Sequence, residues 1–137
     1  MAHYALLDEN NVVVTIITGR NEDEIVDGVS DWEEHYGTFH NMTCKRTSYN
    51  TYRNEHLNGG VPFRGNYATI DGTYDPDLDI FIDPQPYPSW VFDEATAGWN
   101  PPTPRPDDVQ LWTWVEDQRA WVLFAPDTGP DPNMLIT

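Results

Sequence analysis

Eleven of the twelve prolines lie at or beyond residue 76, and seven fall between residues 84 and 106. Each proline ring fixes φ and removes a backbone donor, which forbids interior helix there and confines strands to short runs. Stretches such as DPQPYPSWV and NPPTPRPDD favour extended, polyproline-like paths. The second half of the chain is therefore restricted to short β elements between extended connectors.

A degenerate repeat fills that space. The segments YDPDLDIF (from Tyr74), FDEATAGW (from Phe92) and WVEDQRAW (from Trp114) each place aromatics seven apart around a mostly polar six, with starts 18 and 22 residues apart. Residues seven apart face each other when the six between them form a hairpin end, so each pair can stack across antiparallel strands. The unit resembles the second hairpin of the immunoglobulin-binding domain of streptococcal protein G, over eight residues per copy. In the third copy the same arithmetic sets Trp112 opposite Leu123. Isolated hairpins are marginal in water, so these units need a surface to dock on.

The N-terminal stretch HYALLDENNVVVTIITG predicts a hairpin, with a β-branched run after a turn rich in Asp8, Asn10 and Asn11. In NEDEIVDGVSDWEEHYG, Ser30 followed by Glu33 predicts a capping box and a helix of one or two turns ending at Gly37. Residues 38–73 alternate short strand-like pieces with breakers, among them Gly59-Gly60 and Asp71-Gly72, and residues 67–70 suit a short strand. The expected architecture is mainly β: a small antiparallel domain over residues 1–83 with serial hairpins and one short helix. A Pro-rich extended arm over residues 84–137 would carry the last two hairpins.

With 137 residues the chain has room for one domain with a trailing arm. Its 23 acids against 7 bases give −16, which repels phosphate backbones and anionic membranes, so neither nucleic acid nor a membrane is expected as partner. The charge is uneven: Lys45, Arg46, Arg53 and Arg64 face a single acid, Glu55, so residues 45–64 carry +3 and the remainder −19. A single cysteine, Cys44, excludes an internal disulfide and suits assembly in a reducing cytoplasm. The N-terminus has no basic region followed by a long apolar run, so no secretory signal is expected.

Five constellations invite chemistry, and none has the residues it needs. Asp75, Asp77 and Asp79 match the first half of a calcium loop, but Ile80 stands where glycine makes the turn and Pro86 where a glutamate closes the site. His35, His40 and Cys44 have only distant His56 to complete a zinc set. Ser48 lacks a nucleophile elbow, Gly59-Gly60 lacks the lysine of a phosphate loop, and the Asp93-Glu94 pair is what an acid-rich loop supplies by chance. The expectation is no catalytic residue, metal or cofactor. The residues best suited to contact a partner are the basic Lys45, Arg46, Arg53 and Arg64 and the apolar anchors Trp90, Trp99, Trp112, Trp114 and Trp121.

Several motifs are specific in combination: MAH-aromatic-A with LDENN, TSYNTY, PFR-x-NYA, and PYPSWV before an acidic hairpin. Together they resemble a family of small proteins of marine tailed bacteriophages, cyanophages included, over most of the chain and least over residues 20–40. Departures are GNYATIDGTYD, where the family pattern is a glycine-rich NYAGIGYTYD, and the tail FAPDTGPDPNMLIT; they bear on one turn and on terminal contacts. The resemblance implies a phage protein and carries no catalytic residue over. Taken with the acidic charge and the Pro-rich half, a phage origin favours a virion component, assembled in the host cytoplasm and contacting other virion proteins, with a homo-oligomer as a further option. A decoration or cement protein on the outer face of the capsid shell is the first expectation. A tail-fibre module that binds host glycan or another tail protein is the second.

Overall fold

The computed structural model describes residues 1–124. Among these the chain is mainly β, with eleven short strands in small antiparallel sheets and one helix. These residues divide into two compact units, Met1–Pro86 with Phe92–Trp99, and Tyr87–Val91 with the described residues from Asn100 onward. The division differs from the sequence expectation of residues 1–83 and 84–137, because the closed end of the middle hairpin belongs to the first unit.

In the first unit, strand β1 (Ala2–Leu7) lies between β2 (Val13–Gly19) and β3 (Thr43–Thr47) in an antiparallel sheet of order β2-β1-β3. The expected N-terminal hairpin is present. Its turn is fixed by Asp8, whose carboxylate accepts from the N–H groups of Asn10 (2.8 Å) and Val12 (3.0 Å), the local bonding that favours aspartate in turns. Being central, β1 is buried on both faces. Ala2, Tyr4 and Leu6 join Trp32 and Cys44 in one core, while Ala5 and Leu7 join Val13, Ala68, Tyr74 and Phe81 in the other. Each buried large side chain contributes about 1.5–3 kcal/mol.

Helix α1 (Trp32–His40) covers the Tyr4 face. It starts one residue later than the Ser30–Glu33 box predicts: Asp31 is the N-cap and accepts from the N–H of Glu34 at 3.1 Å. It also runs past Gly37. The helix is stopped instead by Asn41, in the left-handed conformation at φ 55°, which asparagine tolerates better than most residues. Gly37 is needed inside the helix because a Cβ there would lie 2.8 Å from the carbonyl oxygen of Met42.

Beyond β3 come three small hairpins: β4 (Thr51–Tyr52) with β5 (Glu55–His56), β6 (Thr73–Asp75) with β7 (Ile80–Ile82), and β8 (Val91–Asp93) with β9 (Gly98–Asn100). Residues 67–70 do not form the expected strand. The N–H of Tyr67 donates to the carbonyl of Thr51 (2.8 Å), and that of Ala68 to the Thr47 hydroxyl (2.8 Å). One backbone bond and one side-chain bond thus stand where a ladder was expected.

The second unit is built on β10 (Trp112–Val115) and β11 (Ala120–Leu123). Trp114 pairs with Trp121 and Trp112 with Leu123, the register expected from spacing. All three aromatic clasps are formed, with ring centroids 5.2 Å apart for Tyr74 and Phe81, 5.4 Å for Phe92 and Trp99, and 5.3 Å for Trp114 and Trp121. Their loops share one backbone feature: the sixth residue of each unit is left-handed, Asp79 at φ 53°, Ala97 at 50° and Arg119 at 46°. The tail beyond residue 124 lies outside the described residues.

Candidate functional site

The motifs TSYNTY and PFR-x-NYA meet in the first unit. Thr51 Oγ1 accepts from the N–H of Phe63 at 3.0 Å, beside the Thr47 and Thr51 bonds above. Asn66, 1% exposed, ties the arrangement together. Its Oδ1 accepts from the N–H of Arg53 (2.8 Å), and its Nδ2 donates to the carbonyls of Phe81 (2.8 Å) and Ala97 (2.7 Å). One amide therefore fastens the β4/β5 turn and two of the clasped hairpins, with both donors and its acceptor used.

Arg64 forms a second node. Its Nη1 donates to Glu33 Oε2 (2.7 Å) and to the carbonyl of Arg46 (3.0 Å), while its Nε lies 2.9 Å from Asp79 Oδ1. Glu33 Oε2 also accepts from the N–H of Arg46 at 2.6 Å. Tyr74 Oη donates to Asp79 Oδ1. Burial pulls the Arg64 pKa down, but the hydrogen bond and charge of Glu33 and the charge of Asp79 outweigh it and leave it raised. Burial pushes the Tyr74 phenol up to about 12, and the bond to Asp79 adds to this.

The four candidate bases do not gather into one open surface. Arg64 is turned inward, its side chain 14% exposed. The Arg46 guanidinium lies 3.8 Å from the Phe63 ring centre and 3.6 Å from Glu22. Lys45, opposite Ala5 in the sheet, sits over the Tyr74 ring at 5.5 Å. Arg53 donates to the carbonyl of Trp99 (3.3 Å) and to Thr96 Oγ1 (3.5 Å). The spacing that suggested a basic patch instead supplies internal partners.

The tryptophans divide likewise. Trp90, Trp114 and Trp121 cluster with Tyr87 in the second unit, with centroid distances of 5.7 Å for Trp90 to both Tyr87 and Trp114, and 6.1 Å for Trp90 to Trp121. Trp112 lies along the same strand with its indole N–H on Asp108 (2.8 Å). Trp99 pairs with Phe92 in the first unit and donates to the carbonyl of Asp83 at 2.8 Å. Trp114 donates to Glu116 (2.9 Å) and Trp121 to the carbonyl of Thr103 (2.8 Å). These indoles act as internal donors.

Sequence reasoning missed Glu116 and Ser89. Glu116 Oε1 accepts from the Ser89 hydroxyl (2.7 Å) and its Oε2 from the Ser89 N–H (3.0 Å), which fastens the PYPSWV segment onto the last hairpin. Because the carboxylate makes these bonds, Ser89 first and Trp114 second hold Glu116 below the ordinary glutamate pKa. The stabilisation is complete above about pH 4.3, the unperturbed value, and is lost as pH falls through the lowered one. Acid titration of tryptophan emission is expected to show a step that Glu116→Gln removes; an identical step in both proteins would assign it to another acid.

The other candidate ligands also have local partners. Asp75 Oδ1 accepts from the N–H groups of Asp77 (2.9 Å) and Leu78 (3.2 Å). His35 packs edge-on against Trp32, His40 packs against Phe39, and the buried Cys44 thiol is pushed up to about 12 by burial. Among the described residues no group of three or more His, Cys, Asp or Glu is placed to hold a metal ion. A groove of about 790 Å³ beside α1 and β3 sets Glu9, Asp31, Glu33 and Glu34 against Lys45, an unfavourable lining for an anion. No helix among the described residues is long and apolar enough to cross a membrane. Compared with protein-family models, with curated proteins and with solved structures, the chain matches none.

Proposed function

We propose that this chain is a structural protein of a tailed-phage virion, a decoration or cement protein bound to the outer surface of the capsid shell. The observation that carries the reading is the open end of the last hairpin. There Leu111 (59% exposed) lies opposite Phe124 (51%), with the Phe124 N–H on the Leu111 carbonyl at 2.7 Å, and Leu123 (51%) is exposed beside Trp112 on the other face. An apolar group of this kind on a chain of −16 suits contact with a protein surface.

Two further features support the reading. The phage-like motifs TSYNTY and PFR-x-NYA bond to each other and so build a frame, as a structural protein needs. The connector around Pro101, Pro102, Pro104 and Pro106 contains no strand, and a chain already stiff when free loses little entropy when it lies across neighbouring subunits. In this role the indole cluster holds the last hairpin in shape while its open end makes contact.

Quantitative mass spectrometry of purified virions of the encoding phage tests the reading. Hundreds of copies per particle are expected. A handful of copies confined to the tail would replace decoration by a tail-fibre role, and complete absence from virions would overturn both.

A further inference from the structure

Several strand edges of the first unit are closed by a specific group. On β3, Glu33 accepts the N–H of Arg46 and Arg64 donates to its carbonyl. On β7, the Phe81 N–H donates to the Arg64 carbonyl (2.9 Å) and the Phe81 carbonyl accepts from Asn66. At the start of β2, the Val13 N–H donates to the carbonyl of Gly72 (2.8 Å) and the Val13 carbonyl accepts from the N–H of Asp71 (3.0 Å). Just past its end, the Arg20 N–H donates to Tyr36 Oη (2.9 Å) and its carbonyl accepts from Tyr4 Oη (2.7 Å).

Between those two closures β2 is open. Arg46 points its backbone groups away from β1, so its partner Tyr4 points its own toward Ile17 of β2. Alternation in an antiparallel ladder then turns the N–H and C=O of Ile16 and Thr18 outward. No bond outside the sheet is made by either among the described residues. Thr18 is exposed and Ile16 half-buried, whereas Cys44, which faces out of β3, is 5% exposed and shielded from an added strand.

We propose that residues 16–18 form a homotypic docking edge, to which the same edge of a second copy of this chain adds in antiparallel register. With Ile17 opposite Ile17 across a two-fold axis, Ile16 faces Thr18 twice. Each outward donor then meets an outward acceptor, and the two sheets join into one. The edge is self-complementary in charge as well. Residues 12–19 contain no charged side chain and no proline, the usual guards of an exposed edge, although the chain as a whole carries −16. A basic partner would find no acid on this edge, whereas a second copy finds an edge of its own pattern. Because the copies repel through their net charge while the edge itself is uncharged, salt strengthens the pairing by screening.

Sedimentation of the full chain from about 1 µM to about 1 mM reads this association over the range of weak to moderate dimers. A concentration-dependent dimer is expected, tighter at high than at low sodium chloride. Thr18→Pro removes an outward donor from each copy and leaves the β1–β2 bonds intact, since the Thr18 N–H does not face β1; the dissociation constant is expected to rise about a hundredfold. An unchanged far-UV spectrum checks its fold. If proline disturbs the strand, Thr18→Glu sets like charges at the seam and is expected to weaken the dimer to a similar degree. A wild-type chain that stays monomeric across the range, a dimer that salt weakens, or a dimer that survives both substitutions would overturn the proposal.

Discussion

Asn66→Asp is expected to destabilise the first unit by about 3–5 kcal/mol, the range for leaving a buried charge without a partner. Asn66 is 1% exposed, and its Nδ2 lies 2.8 Å from the Phe81 carbonyl and 2.7 Å from that of Ala97. A carboxylate keeps the contact with the Arg53 N–H but turns an oxygen toward two carbonyl oxygens, so two attractions become two repulsions. Asn66→Ala loses the bonds without the repulsion and is expected to cost less. Thermal or denaturant unfolding of the three proteins orders them, and the Asp deficit is expected to shrink in acid, where protonation restores one donor. An Asp variant within about 0.5 kcal/mol of wild type, the scale of an ordinary surface substitution, would remove Asn66 from its place as the tie between hairpins.

The second large effect is expected at Arg64. Its guanidinium reaches Glu33, the Arg46 carbonyl and Asp79 at once, at 2.7, 3.0 and 2.9 Å. A lysine ammonium is one point on a flexible stem and does not span that fork. Arg64→Lys is therefore expected to cost about 2–3 kcal/mol, close to Arg64→Met; the figure is set below that of a fully buried ion pair because the Asp79 side chain is 58% exposed and solvent screens it. Denaturant unfolding of both variants checks the claim. A lysine variant as stable as wild type would show that charge alone, without the fork, holds the node.

Much of the fold was legible because its signals are local. The alternation and turn chemistry of the first nineteen residues mark the β1/β2 hairpin, and aromatics seven apart mark the three clasps down to the pairing of Trp112 with Leu123. The helix was legible in place but not in its ends, since Asp31 outcompetes Ser30 as cap and Gly37 serves close approach to Met42 instead of termination. Residues 61–72 were not legible. Phe63 and Ala68 donate to the side chains of Thr51 and Thr47, 12 and 21 residues away, and the Asn66 side chain reaches the carbonyl of Ala97, 31 residues on; no short-range pattern encodes such bonds. The same reason misplaced Arg64: in sequence it stands among bases, and in space it stands against Glu33 of the helix, 31 residues earlier. Among the tryptophans, the partnership of Trp114 with Trp121 followed from spacing, whereas their meeting with Trp90 depends on Glu116 holding Ser89.

The left-handed residue shared by the three clasped loops has a consequence for how such a chain can change. Asp79, Ala97 and Arg119 occupy one backbone conformation with unlike side chains, and none is the glycine that geometry would favour. Glycine is therefore not required at that position, and in the first two loops an aspartate at the second position of the unit holds the turn, Asp75 accepting from Asp77 and Leu78 and Asp93 from Ala95. Each copy has put that vacancy to a different use: an ion pair with Arg64 at Asp79, a methyl group in the core at Ala97, and a solvent-facing cation at Arg119. Variation at Arg119 can alter what the surface offers while the scaffold stays the same, whereas a change at Asp79 reaches the Arg64 node and one at Ala97 reaches the core.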